Sequence, residues 1–264
     1  AVAGLLRDID YIERIGKAPA AHPTLVHVGT PGTVVVGNVT ITEASEAGYA
    51  TVYPCREGLP PTSNVNFAAA GTVANLTLVA ADAAGDLCIT PSDDAHVIFD
   101  HTATIGGVQS YPAVRAVDTR RTAEPLAGAT VRVHVGDPGT VHAGNLTIAQ
   151  PRTAGYATVY PCLDGVPPTS NINFAAGQTI ANLTLVPTDA AGDLCITLST
   201  AAHVIYDHDA RLGSVIPHPP VRAVDTRRIA KPLAGDTVRV HVGDPGAVHA
   251  GNLTIAQPET AGYA

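Results

Sequence analysis

Paired arginines and carboxylates are the most conspicuous reactive groups in this 264-residue chain. Asp118, Arg120 and Arg121 stand together, and Asp225, Arg227 and Arg228 repeat them 107 residues later. A guanidinium fork beside a carboxylate can hold an acidic or sugar ligand, or it can tie two strands with parallel hydrogen bonds. The expectation is a structural ion pair. Arg120 reaches Asp207 and joins the first and last strands of one unit, with Asp225 and Arg227 as the next unit's members.

Histidines and tyrosines offer two other chemistries. His203, Asp207 and His208, with His96, Asp100 and His101 before them, have a metal-ligand composition. On a strand, however, His203 and Asp207 face one side and His208 the other, so the three do not converge and no metal is expected. His27, His134 and His241 fall on polar strand faces and should be exposed. Tyr156 and Tyr160 share a strand face with Thr158 and could form a sugar-stacking shelf, with Asn171 and Asn173 beside it as a possible ligand face. Aromatic residues make up only 4% of the chain and Trp is absent, so packing is the first expectation for the tyrosines. An asparagine pair satisfying loop backbone groups is the ordinary role of Asn171 and Asn173. Among catalytic signatures there is no G-x-S-x-G, H-E-x-x-H, P-loop or glycine-rich dinucleotide turn, so no catalytic residue and no cofactor is expected.

The elements that position these groups recur. Ala47–Cys55 returns unchanged as Ala154–Cys162, and a third copy starts at Ala261. The 107-residue period is too long for a thin solenoid and suits a small domain. Three units follow: 1–107 with a divergent N-terminal part, 108–217, and 218–264, which holds opening strands only. Leu5–Lys17 is the one helix-like stretch. Ile216–Pro220 reads as a stiff proline-rich linker, matched more loosely by Val108–Pro112.

Within the second unit, Thr130–Val135 alternates apolar with polar residues, as a half-buried strand does. Asp137-Pro138-Gly139 breaks it with turn residues. Leu146–Ile148, Tyr156–Tyr160, Asn171–Phe174, Thr179–Val186, Leu194–Leu198 and His203–Asp207 continue the strands, and Asp189–Asp193 has hairpin-loop composition. Short strands at this spacing predict an all-β chain of tandem antiparallel β-sandwich domains, Ig-like or jelly-roll-like. Cys55 and Cys88, then Cys162 and Cys195, recur once in each of the first two units and read as one disulfide in each, formed in an oxidising compartment. Five N-x-T sites, at Asn38, Asn75, Asn145, Asn182 and Asn252, fall at equivalent strand positions and read as strand patterning.

Composition narrows the partners. A net charge of −8 argues against nucleic acid, and no apolar run is long enough to span a membrane. Met is absent, which suggests a processed or excised product.

The motifs Val-Arg-Ala-Val-Asp-Thr-Arg (114–120, 221–227), Thr-Val-Tyr-Pro-Cys, Thr-Ser-Asn-Ile-Asn-Phe (169–174) and Ala-His-Val-Ile-Tyr-Asp (202–207) together resemble a repeat of secreted and cell-wall-associated actinobacterial proteins. That resemblance covers all but about the first twenty residues. It implies a secreted β-rich module found in multiples, often appended to enzymes or surface proteins, with no well-established activity of its own. The first unit departs from it by lacking D-T-R; Arg7–Asp10 is the closest remnant. His101 and His208 replace a residue that is usually apolar.

The function expected is that of a non-catalytic extracellular structural repeat protein of a cell surface, sheath or filament. Its partners would be other copies of itself or further repeats of a longer chain. The uncovered strands of 221–264 suggest head-to-tail strand complementation. The alternative is a carbohydrate- or cell-wall-binding module of a larger secreted protein, with cell-wall polysaccharide as partner.

Overall fold

Alternating apolar and polar residues become antiparallel strands in both complete repeats. The computed structural model describes residues 16–106, 108–123, 125–213, 215, 222–228, 232–233, 235–243 and 249–255. The second repeat has eight strands: β8 (Gln109–Asp118), β9 (Thr130–His134), β10 (Val141–Ala149), β11 (Gly155–Pro161), β12 (Ile172–Phe174), β13 (Ile180–Pro187), β14 (Asp193–Leu198) and β15 (His203–Leu212). Strand β8 pairs with β15, β9 with β14, β10 with β13, and β11 with β12. Four strands therefore fold back on the next four as one long hairpin. The hairpin is then rolled, so that β10 also pairs with β15 and β11 with β14. Two four-stranded sheets result, ordered β13-β10-β15-β8 and β12-β11-β14-β9. That connectivity is a jelly roll, which decides between the two sandwich classes left open by the spacing.

The first repeat follows the same plan with β1 (Thr24–His27), β2 (Val34–Thr42), β3 (Gly48–Pro54), β4 (Val65–Phe67), β5 (Val73–Ala80), β6 (Asp86–Pro91) and β7 (His96–Ile105). Its sheets are ordered β1-β6-β3-β4 and β5-β2-β7, so the second has no counterpart of β8 among the described residues. The positions homologous to β8, the Arg7–Asp10 remnant and all but the last two residues of the helix-like stretch lie outside the described residues. So does the Ile216–Pro220 linker.

Two readings need correction. Residues 109–112, matched to a linker by their Pro, belong to β8. Strand β8 lies at the sheet edge, where one side of its backbone has no ladder to serve, and Pro112 is tolerated there. The third repeat forms no strand among its described residues; its one regular element is a 3-10 turn at Thr226–Arg228. The physical reason lies in the rolled hairpin. In the second repeat the first three strands pair only with the sixth, seventh and eighth, and no third set of those strands lies among the described residues.

Each sandwich closes on its own core. Leu146, Ile148, Val159, Ile196, Val204 and Tyr206 are fully buried in the second, as are Val39, Ile41, Leu87 and Ile89 in the first. Gly144 is required by this packing. A Cβ there would collide with the Tyr206 ring, as one at Gly37 would with Phe99. Disulfides Cys55–Cys88 and Cys162–Cys195 each close a separation of 33 residues. In the chain-entropy account, a loop of that size stabilises the fold by about 3.5–4 kcal/mol. The Asp189–Asp193 loop, expected from its composition to close a hairpin, is instead a tight turn that carries the chain from β13 in one sheet to β14 in the other, because the rolled pairing separates those two strands. Asp189 Oδ1 accepts the Ala191 and Asp193 N–H groups at 2.8 and 3.0 Å, and Gly192 adopts φ +79°.

Candidate interface between repeats

The same strand is half-exposed in one repeat and wholly buried in the next. Strand β2 alternates along its length, whereas all nine residues of its counterpart β10 are buried. Strand β7 is largely open, while eight of the ten residues of β15 are buried. Propensity cannot explain the contrast, because the residues correspond. Its cause is the first repeat, which lies against the outer face of the sheet β13-β10-β15-β8.

An apolar seam separate from both cores forms this contact. Val34 and Leu78 of the first repeat cluster with Val141, Ala143, Ala210 and Leu212 of the second. Polar bonds surround the seam. Asn145 points from the outer face of β10 and donates Nδ2 to the Ser63 carbonyl at 2.5 Å. Its Oδ1 accepts from Asn75 Nδ2 at 2.8 Å, and Asn75 Nδ2 also donates to the Asn64 carbonyl at 2.7 Å. Asn75 Oδ1 accepts the Leu183 N–H on the edge strand β13 at 3.0 Å. The two asparagines are 1% and 4% exposed, so each buried amide group has found a partner.

The clasp recurs one period later. Asn252 donates Nδ2 to the Ser170 and Asn171 carbonyls at 3.1 and 2.7 Å. Asn182 Nδ2 donates to Asn252 Oδ1 at 2.8 Å and to the Asn171 carbonyl at 2.7 Å. Arg222 adds a bond from Nη2 to the Pro168 carbonyl at 3.0 Å. Asn38, the equivalent of Asn145 in the first repeat, is only half-buried.

Asp207 also belongs to this interface. Its partner is Arg115, not Arg120. Arg115 Nε and Nη2 fork onto the two carboxylate oxygens at 2.9 and 3.0 Å. Arg115 lies on β8 directly across from Asp207 on β15. Arg120 lies past the end of β8 in a 3-10 turn, and its side chain folds back on Asp118 at 2.9 and 2.7 Å. Asp225 and Arg227 form the same local turn pair, at 2.8 and 2.6 Å. The Arg120 bonds hold the Asp118 carboxyl down at about 2, and Arg227 likewise lowers Asp225. At Asp207 burial dominates and pushes the carboxyl up, against the pull of Arg115 and of the Ser63 backbone N–H from the first repeat.

Further along β15, the joint buries titratable groups with weaker support. His142 Nδ1 and His208 Nε2 lie 2.7 Å apart. Desolvation lowers both imidazoles, His208 to about 4. Asp209 lines a cavity of about 230 Å³ with Tyr53, Pro54, Asn64, Leu78 and Ala113. Its Oδ2 has no hydrogen-bond partner among the described residues, and burial pushes its carboxyl well above the usual range.

The other candidate groupings disperse. His203 meets Thr119 Oγ1 at 3.3 Å, Asp207 meets Arg115, and His208 meets His142, so the three go to separate partners. Among the described residues, no group of three His, Cys, Asp or Glu could hold a metal. Tyr156 is 48% exposed, but Tyr160 is buried with its hydroxyl 2.8 Å from Thr197 Oγ1. Asn171 Oδ1 accepts the Val159 N–H at 2.8 Å, while Asn173 is exposed beside Thr254 at 3.4 Å. These four residues form no common open shelf. His27 and His134 keep exposed side chains but bond Asp86 and Asp193, at 2.7 and 2.8 Å. The residues that sequence reasoning passed over are Arg115 and four of the five N-x-T asparagines. Their signal was the 107-residue recurrence of Asn75 and Asn145 as Asn182 and Asn252.

No protein-family model matches the chain, and no curated protein matches it. Among solved structures, the chain is similar to the STIV MCP, with 10% identity and TM-score 0.29 over 75% of this chain and 94% of that one. It is also similar to the N-terminal CBM22-1-CBM22-2 tandem domain from Paenibacillus barcinonensis Xyn10C, with 12% identity and TM-score 0.24 over 74% and 84%. At these scores the likeness adds nothing to what the strand pairing establishes. The two disulfides fit an oxidising environment. No helix among the described residues is long and apolar enough to cross a membrane.

Proposed function

We propose that this chain is a non-catalytic extracellular structural repeat protein of a cell surface, sheath or filament, built by docking jelly-roll units head to tail. One observation carries the reading: the Asn75–Asn145 clasp and its recurrence as Asn182–Asn252, both at 2.8 Å. The two partners in each clasp come from different parts of the repeat: Asn75 on β5 meets Asn145 on the outer face of β10, and Asn182 on β13 meets Asn252, one period beyond Asn145. Such a heterologous contact can be added repeatedly without closing on itself. Disulfides in the first two units and the resemblance to secreted actinobacterial repeats support an extracellular setting, and further copies of the repeat are the partners. Polysaccharide binding is the weaker reading, since burial of Tyr160 leaves the shelf without its second ring.

Small-angle scattering of the purified chain tests the proposal. Docked repeats should give a single stiff particle, which Asn75→Ala combined with Asn145→Ala loosens. Saturable binding to purified peptidoglycan that disappears in Tyr156→Ala would replace it with the binding-module reading.

A further inference from the structure

A bulge in β15 carries a carboxyl into the cavity at the joint. His208 stands opposite Gly144 and Ala210 opposite Ala143, so Asp209 is the extra residue between two ladder pairs. A bulge re-aims the side chain it carries. Strand β7 of the first repeat has the same bulge between His101 and Ala103, but its extra residue is Thr102, which is exposed. The carboxyl therefore departs from the repeat at a position that the joint covers. Asp209 is 6% exposed, and its Oδ2 has no hydrogen-bond partner among the described residues. A buried carboxyl without a partner is destabilising, and Thr102 shows that the bulge does not require one.

The cavity walls indicate what could partner it. Val52, Pro54, Leu78 and Val79 make them largely apolar. Two polar neighbours are already engaged: the Tyr53 hydroxyl lies 2.9 Å from Thr90 Oγ1, and Asn64 Oδ1 accepts the Val52 N–H at 2.8 Å. Glu57, Leu59 and Pro61 are exposed and form the solvent side. Among the described lining residues, Glu57 and Asp209 are both acidic, and no Lys, Arg or His joins them. An ordered water needs roughly two to four polar partners, and beyond Asp209 these walls offer it little. A metal ion fits no better, since no group of three ligand side chains is found among the described residues. An ammonium on an apolar stem suits both parts, with N–H donors for the carboxylate and carbon for the walls.

We propose that the cavity between the first and second repeats binds a small organic cation, a primary ammonium on an apolar stem, with Asp209 as its counter-ion. Glu57 at the entrance attracts the same charge. The site goes beyond the structural role and rests on the docked joint, because the apolar walls belong to one repeat and Asp209 to the other. A ligand held only by the docked form stabilises docking, so the cation would fasten the joint.

Titration of the purified chain at neutral pH tests it, with the Leu78 and Val79 methyl resonances as the readout. The probes are n-butylamine and benzylamine, with n-butanol and butyrate as the neutral and anionic controls. Both amines should give saturable shifts at about millimolar concentration or below, about tenfold or more tighter than n-butanol, and butyrate should give none. Asp209→Asn and Asp209→Thr should each weaken amine binding by about tenfold or more. The second variant installs the residue that the first repeat carries at this bulge, so a folded control is available. Absence of a saturable shift with either amine would overturn the site. Equal binding of n-butanol and n-butylamine would reduce it to an apolar cavity, and amine affinity unchanged by both Asp209 substitutions would remove the counter-ion. Scattering separates the two readings. A stiff native particle that ignores the amines defeats the cation site alone, whereas a native chain with loose repeats defeats the docking itself.

Discussion

Asn75 of the first repeat donates its amide to Asn145 of the second at 2.8 Å, and both side chains are almost wholly buried. Neither residue is a ligand of its own sandwich core. Their bond exists only because two jelly rolls meet, and its recurrence between Asn182 and Asn252 makes it a property of the repeat.

Asn75→Ala should destabilise the chain by roughly 1–3 kcal/mol, because Asn145 Oδ1 and the Leu183 N–H lose their partner inside the joint. Asn38→Ala, at the strand position equivalent to Asn145, should stay within about 0.5 kcal/mol, since that residue is only half-buried. Urea unfolding of the two variants checks the contrast.

The two arginines of the opening motif should differ sharply. Arg115→Gln leaves Asp207, 1% exposed, without its counter-charge and should cost about 3–5 kcal/mol. Arg120 has a side chain 44% exposed, and Arg120→Gln should cost no more than about 1 kcal/mol. The Asp118 carboxyl is held at about 2, below its ordinary 3.8, so the contribution of its pairing is complete above about pH 4. It is lost as pH falls through 2, and acid titration of Arg120→Gln should show that loss removed.

Gly144→Ala should destabilise the second repeat by about 1–3 kcal/mol, because the new methyl enters the ring of fully buried Tyr206. Gly37→Ala should cost less, as Phe99 is only partly buried and can turn outward. Thermal unfolding of the pair gives the comparison.

Acid should weaken the joint before it titrates the paired carboxylates. His208 is lowered from 6.5 to about 4 by burial, with His142 and Arg211 opposing its charge and Asp137 favouring it. Stability is therefore full above pH 6.5 and falls by a few kcal/mol as pH drops toward 4, where the unfolded chain binds the extra proton. His208→Gln should flatten that slope. Asp209 has the opposite sign: its raised carboxyl favours the protonated form, so its contribution is lost as pH rises. Asp209→Asn should raise stability at pH 7, by a margin that shrinks on acidification. Urea unfolding across pH reads both effects.

Much of the fold was legible along the chain. The match of Ala47–Cys55 with Ala154–Cys162 defined the unit, Thr130–Val135 and its neighbours defined the strands, and the recurring cysteines anticipated both disulfides. Each of these rests on local periodicity or on a spacing copied from one repeat to the next. The candidate site was much less legible. Arg120 looked like the partner of Asp207 because both stand in conspicuous motifs, yet a chain reversal after β8 sends Arg120 back to Asp118. Asn75 and Asn145 looked like ordinary strand patterning because their bond joins positions 70 residues apart.

By itself, then, the sequence determined that this protein is a tandem array of disulfide-pinned β-sandwiches. Alternation says which strand face is apolar, and that is a short-range property. Tertiary structure alone decided that the hairpin rolls into a jelly roll, that Arg115 supplies the ion pair, and that β10 is covered on both faces. The outer face of a strand is buried or open according to what lies against it, and for β10 the covering surface belongs to another repeat.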